Sequence, residues 1–374
     1  MTVSANKIIK YQEVLRVVVS TAHTMALTIP PSIEALLPAD TLSIRLFVQF
    51  SIPVCTNRLS QPENYVSELS PTIEDPQNVL LIPCPPDNVV QSLQRIITSQ
   101  NVRSIKLPFG DSQHYPLWIV SLWSNLACCH KVQGKWCRAV NSLEEQTRLH
   151  PGNSTLQQLS HSLSYIPWTG RLQGFSEAID LQNLSAYLTS EWLTDEHELV
   201  MLEVLKQDLI NGGCMPDHLI EDPAFALILE LAYANRENYE THAYNWIRKH
   251  GEELASGTKR YLATIVNKDN VHWTAIILDF KEQTILHGDS FGHSIATHLH
   301  EVFSWWIGHH TGKQFTYRTL PIATQHDSFS CGMMAWDALR HHLLPQHHSL
   351  MDPQQAMVDR ARMFLRLTKH YHKV

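Results

Sequence analysis

The chain of 374 residues lacks a C-x-x-C pair, and its seven cysteines are odd in number. That argues against a secreted disulfide framework and suits free thiols in a reducing compartment. It also lacks a glycine-rich phosphate loop, an internal repeat and any low-complexity tract, so the phosphate-loop and repeat-array classes are set aside. There is no excess of positive charge: the formal net charge is −7 with histidine neutral. Nucleic acid and an anionic membrane are therefore not expected partners. No apolar run reaches membrane-spanning length. Near the N-terminus Arg16 and His23 interrupt the stretch around residues 17–19, which reads neither as a signal peptide nor as a span. No basic cluster marks a nuclear signal, and the expected location is nuclear or cytoplasmic. No cofactor is implied. Cys128-Cys129-His130 with Cys137 has the residue types of a zinc site without a common spacing. The pairs His309-His310, His341-His342 and His347-His348 diverge if they lie on helices, so no metal is expected.

What is present is the composition of a folded protein, 44% hydrophobic and 17% charged. The length predicts one large domain or two ordinary ones. The first part reads as an α/β region: a helix over residues 11–27, a strand over 42–50 and a small β-α-β pattern over 79–107. A long helix follows from residue 116, carrying Trp118, Trp123 and Trp136, with a possible break at Gly134. Nothing in it names a chemistry. Residues 150–180 read as a connector, which divides the chain into an N-terminal region, 1–155, and a second domain, 156–374. In the second part the pattern predicts helices over 196–209, 225–234 and 239–249, and a strand over 259–267. A hairpin, a helix over 295–309 and a strand over 313–320 come next. Helices first, then a sheet, is an α+β order.

The last polar loop of that domain, Gln325-His326-Asp327-Ser328-Phe329-Ser330, runs into Cys331-Gly332 and then an apolar stretch ended by Pro345. Cys331 is thus expected at a helix N-terminus, with Ser330 as its N-cap. Unpaired N–H groups there favour thiolate over thiol, which is how a nucleophile is built. The same residue type in the same place also reads as a small buried core residue. Upstream, residues 271–280 and 283–290 read as two strands joined by the turn at Lys281-Glu282. In such a hairpin His272 and Asp289 lie at one end of the sheet. Asp289 then orients the imidazole of His272 for Cys331. His287, two residues from Asp289 on the same strand face, is a competing histidine, and His326 is another.

These residues carry a resemblance. His272-Trp273 on a strand is followed by Asp289 seventeen residues on (289 − 272). Gln325 lies six before Cys331 (331 − 325), Cys-Gly opens a helix, and Glu191-Trp192-Leu193-Thr194-Asp195 stands far upstream. The set resembles the Ulp-type ubiquitin-like-protein proteases, over about residues 180–350. The resemblance implies a papain-like cysteine protease core. It also implies a peptidase that cuts after the Gly-Gly end of a ubiquitin-like modifier, SUMO first and NEDD8 second, without a cofactor. Cys331 is then the nucleophile, His272 the base, Asp289 its orienting group and Gln325 an oxyanion donor. Trp192 and Trp273 resemble the pair that sandwiches the Gly-Gly tail, and Asp195 an acidic contact to the modifier. Read alone, the tryptophans are also core residues and Asp195 is also a helix cap. Thr194 stands where the family usually has Asn, and Ser330 where it often has Asp or Asn. The competing readings are a Gly-specific endopeptidase of viral or mobile-element type and a binding module that has kept the fold.

Overall fold

A computed structural model describes residues 27–53, 60–73, 79, 82–108 and 113–371. Nearly all of the helix expected over 11–27, and residues 80 and 81 of the strand expected near 79–82, lie outside them. The chain forms two compact units, residues 1–138 with 163–169 and residues 139–162 with 170–374.

The first unit holds short helices α1 (Pro31–Glu34) and α2 (Ile44–Phe47), strands β1 (Val66–Ser67), β2 (Ser104–Lys106) and β3 (His114–Tyr115), and helix α3 (Asp87–Ser99). The strand expected over 42–50 is helical instead. Ser43 caps it by accepting from the Leu46 N–H at 3.4 Å. The two apolar anchors, Ile44 and Phe47, are buried at helical spacing rather than in alternation. Phe47 stacks on Trp168 with ring centroids 4.0 Å apart. The β-α-β expectation also fails, because β2 pairs antiparallel with both β1 and β3. Helix α4 (Trp118–Leu149) runs unbroken through Gly134. Neighbouring Cys128 and Cys129 diverge on it, one exposed and one buried.

The second unit takes in the end of that helix, from residue 139. The residues read as a connector contain helix α5 (Ser154–Ser162) and the small ladder of β4 (Arg171–Leu172) with β5 (Ile179–Asp180). Then come a 3-10 helix (Leu181–Leu188), α6 (Asp195–Asn211), β6 (His218–Ile220), α7 (Ala224–Ala234) and α8 (Asn245–Ala255). The helix expected over 239–249 starts later because Tyr239 is used in the core. Its hydroxyl accepts from Trp306 Nε1 at 2.8 Å. Strands β7 (Tyr261–Lys268), β8 (His272–Asp279) and β9 (Thr284–Gly288) follow, then α9 (Thr297–Thr311), β10 (Thr316–Thr319), α10 (Cys331–Leu343) and α11 (Ala356–Tyr371).

The main sheet has the order β10-β9-β8-β7-β6, with β7-β8-β9 antiparallel and both edge pairs parallel. Its central strand β8 is buried at every residue. Ile276 and Leu278 enter a core made with α7, α8 and α9, and α10 packs on the strand as well. Burial on both faces explains why β8 reads as a continuous apolar run rather than an alternating one. Asp279 ends the strand and builds the turn. Its Oδ1 accepts from the Lys281 and Glu282 N–H groups at 3.0 Å each, and Arg260 Nη2 donates to Oδ2 at 2.8 Å. Burial pushes this carboxyl up, but Arg260 and the turn N–H groups outweigh it and hold it below the usual carboxylate range. Among the described residues no helix is long and apolar enough to cross a membrane.

Candidate active site

The hairpin register sets Ala275 opposite Gly288, so the start of β8 and the end of β9 share one end of the sheet. His272 opens β8 and Asp289 directly follows β9. Their side chains meet: His272 Nε2 lies 2.9 Å from Asp289 Oδ1, and both residues are buried. The same oxygen accepts the Phe291 N–H at 2.8 Å. With Nε2 on the carboxylate, the imidazole keeps Nδ1 for a second partner. The competing histidine is disposed of by its surroundings. His287 Nδ1 sits 3.2 Å from the Tyr317 hydroxyl, and burial pulls its pKa down to about 4. It is therefore neutral near pH 7. His326 is exposed on the loop.

Strand β10 brings the chain back along β9 and delivers the loop. The Leu320 N–H donates to His287 O at 2.9 Å and the Gln325 N–H to Ser290 O at 2.8 Å. The Gln325 side chain is then fixed from both ends. Ser290 Oγ donates to its Oε1 at 2.7 Å, and its Nε2 donates to Asp327 Oδ1 at 3.1 Å. That pattern settles which end of the amide is nitrogen and leaves one N–H of Nε2 for another acceptor. Asp327 shapes the turn into the helix by accepting the Phe329 and Ser330 N–H groups at 2.9 and 2.8 Å.

Cys331 is the first residue of α10, as the apolar pattern implies, and it is buried. Ser330 occupies the N-cap position, but its hydroxyl donates to Asp327 Oδ2 at 2.6 Å and caps nothing. The expectation of a thiol lowered by the helix terminus alone is not met. Burial pushes the Cys331 thiol up, the Glu198 carboxyl adds to that push, and the N–H groups of Trp273, Gly332 and Cys331 only partly offset them. Desolvation wins over the helix dipole here.

The upstream segment is held next to these groups. Trp273 Nε1 donates to Leu193 O at 2.9 Å, which ties the residue after His272 to the residue after Trp192. Trp273 is 5% exposed and Trp192 49%. Asp195 is not the cap of its helix. Thr194 is, and its N–H donates to His197 Nδ1 at 3.1 Å in a reciprocal capping arrangement. Asp195 stands exposed in the first turn.

Three neighbours of the site were not found by reading the sequence. Phe291 stacks on the His272 ring, centroids 4.8 Å apart and planes 22° apart, and is half exposed. No pattern marks it. Glu198 is wholly buried, and its signal is a carboxylate in helical register with the apolar Met201, Leu202 and Leu205. Arg360 is also wholly buried. It donates to Phe329 O at 3.1 Å, to Glu191 O at 2.7 Å and to Ala186 O.

A buried thiol at a helix start, next to a strand that presents a carboxylate-bound histidine, is the equipment of a cysteine peptidase, here on an α+β frame. The family model described as "Ulp1 protease family, C-terminal catalytic domain" matches residues 191–372. Similar solved structures include the C-terminal Ulp1 protease domain in complex with Smt3, the yeast ortholog of SUMO. It is 15% identical, covering 59% of this chain and 96% of that one, with a TM-score of 0.44. The Ulp1-like SUMO protease catalytic domain of Chaetomium thermophilum is 13% identical, covering 48% and 74%, with a TM-score of 0.35. The Xanthomonas campestris effector XopD bound to ubiquitin is 17% identical, covering 46% and 91%, with a TM-score of 0.33. No curated protein matches the chain.

Proposed function

We propose that residues 156–374 form an isopeptidase that cuts after the C-terminal Gly-Gly of a ubiquitin-like modifier, SUMO first and NEDD8 second, and that residues 1–155 serve another role. The observation that carries this is the 2.9 Å His272–Asp289 pair beside the thiol at the start of α10. In this reading Cys331 gives its proton to His272 and attacks the terminal glycine carbonyl. Asp289 holds the ring and stabilises the imidazolium. The tetrahedral oxyanion is met by the Cys331 N–H and by the free N–H of Gln325 Nε2. His272 then protonates the leaving lysine amine, and water releases the modifier from the thioester. Trp192 and Trp273 clamp the Gly-Gly tail, and Asp195 meets a basic residue on the modifier. The exposure of Trp192 and Asp195 supports that assignment.

The test uses SUMO, NEDD8 and ubiquitin, each carrying a C-terminal electrophile, mixed with the wild type and with Cys331→Ala. The expected result is a covalent adduct with SUMO that is absent from the variant. An adduct with ubiquitin alone would reassign the modifier. No adduct from folded protein would move the reading to a Gly-specific endopeptidase or a binding module. Gln325→Ala is expected to lower kcat about a hundredfold or more, with a small change in KM, because the donor acts on charge that develops only in the transition state. Steady-state kinetics on a fluorogenic modifier substrate checks it. Equal losses in kcat and 1/KM would place Gln325 in ground-state binding instead.

A further inference from the structure

Glu198 is the anomaly of the site. It lies on α6, wholly buried, and neither carboxyl oxygen has a hydrogen-bond partner. An ionised carboxylate in such a place loses its hydration with nothing in return. The group is also packed against the nucleophile turn. A Cβ built on Gly332 would lie 1.9 Å from Glu198 Oε1 and 3.3 Å from Trp273 Cδ1. The space that a side chain after Cys331 would fill is therefore taken by this carboxyl. That is a physical reason for glycine at 332, where the backbone is helical and needs none of glycine's freedom.

The charged and titratable groups around it come from four elements. Asp195 lies on its own helix, Tyr187 on the preceding 3-10 helix, Cys331 on α10 and Arg360 on α11. Arg360 is the sole cation of that set, and its Nη1 and Nη2 groups donate to backbone carbonyls rather than to Glu198. Burial holds Glu198 well above the usual carboxylate range, against the pull of Arg360 and with a push from Asp195. The thiol in turn responds to it, since the Glu198 charge raises Cys331.

We propose that Glu198 is a positioning residue of the nucleophile: it packs as a neutral acid beneath Gly332, and losing its proton opposes the Cys331 thiolate. The two groups form a coupled pair, in which a negative charge on either disfavours a negative charge on the other. At low pH the acid is neutral and only fills space. As the pH rises, ionisation of Glu198 works against the thiolate that the same rise would otherwise favour. The inference rests on Cys331 being the nucleophile. Its test reads the thiol and the fold directly, so its failure is distinct from a failure of the modifier adduct.

The first arm is the pH dependence of Cys331 alkylation by iodoacetamide, followed by peptide-resolved mass spectrometry in the full chain. In Glu198→Gln the thiolate is expected to form in one step. In the wild type the rise is expected to be broadened and displaced upward by about one pH unit, about tenfold in thiolate population at a given pH. The second arm is thermal unfolding. A carboxyl whose folded pKa lies above its unfolded value contributes stability below the unfolded value and loses it as pH rises toward the folded one. The Tm of Glu198→Gln relative to wild type is therefore expected to rise between about pH 5 and about pH 8. Glu198→Met, which carries no polar atom into the site, is expected to follow the same trend if the glutamine variant fails to fold. Superimposable alkylation profiles would overturn the proposal. So would a Tm of Glu198→Gln that falls relative to wild type over that range, since it would mean an ionised Glu198 paired with Arg360.

Discussion

Cys331→Ala and His272→Ala are each expected to reduce turnover of a modifier–lysine conjugate by a factor on the order of 10⁴ or more, with the fold intact. The alanine at 331 leaves no attacking atom. The alanine at 272 leaves an attacking atom that is a thiol, because the N–H groups of Trp273, Gly332 and Cys331 offset its burial only in part. Burial already pushes that thiol up, and the N–H groups at the helix start do not compensate. In the proposed mechanism, proton transfer to His272 is thus asked to supply most of the thiolate. It follows that iodoacetamide should modify Cys331 far more slowly in His272→Ala than in wild type near neutral pH, while the exposed Cys128 changes little. The two losses should not add in the double variant, since the residues act as one unit. Single-turnover kinetics and peptide-resolved alkylation provide the check. Retention of more than about a tenth of wild-type activity in either variant would remove that residue from the nucleophilic machinery.

Where the sequence was legible, a strong local signal agreed with its tertiary setting. The hairpin from His272 to Gly288 is marked by two apolar runs and a polar turn, as its register shows, whereas the Asp279–Arg260 pair that closes it drew no expectation. The apolar run after Cys331 is a helix because it is buried along its length, and Pro345 follows its end. Local signals misled where another segment supplied the partner. Residues 42–50 have strand-like composition, yet the Ile44 N–H is taken by Ile166 O, far away in sequence, and the stretch coils. Asp195 has the right chemistry for a cap, but Thr194 stands one residue earlier and has His197 to answer it. The helix Ala356–Tyr371 drew no expectation. Its apolar stripe of Ala356, Phe364 and Leu367 is interrupted by arginines, and one of these, Arg360, is buried rather than solvated. A charged residue on a core-facing stripe marked both that helix and Glu198, but in each case the sequence alone does not say what the charge meets.

Arg360→Met is the second large effect expected, this time on stability. The wild-type guanidinium is wholly buried and donates to the backbone carbonyls of Ala186, Glu191 and Phe329, the first of which also accepts the Thr189 N–H at 3.2 Å. Burial pulls its pKa down to about 10, so it is still a cation near neutral pH. Methionine matches its volume and removes the cost of burying a charge. It also withdraws the Arg360 donors from these carbonyls, and a buried carbonyl that finds no other donor costs roughly 1–3 kcal/mol. The second loss outweighs the first because the carbonyls remain while the charge goes, and the net is expected to be about 2 kcal/mol. For a domain of this size that corresponds to roughly 5 °C in Tm. The carbonyls also make the effect functional. Glu191 precedes Trp192, and Phe329 stands two residues before Cys331, so one side chain holds both the proposed clamp and the nucleophile loop. Activity in Arg360→Met is therefore expected to fall well below the Tm, through KM as well as kcat, as the two segments loosen together. Arg360→Lys keeps the charge but cannot span three carbonyls, and it should recover only part of either loss. Urea unfolding at neutral pH, with kinetics at a temperature where the variant is folded, measures both. A loss below about 1 kcal/mol would mean that water or a rearranged loop satisfies the carbonyls, and that Arg360 is not what holds the two segments.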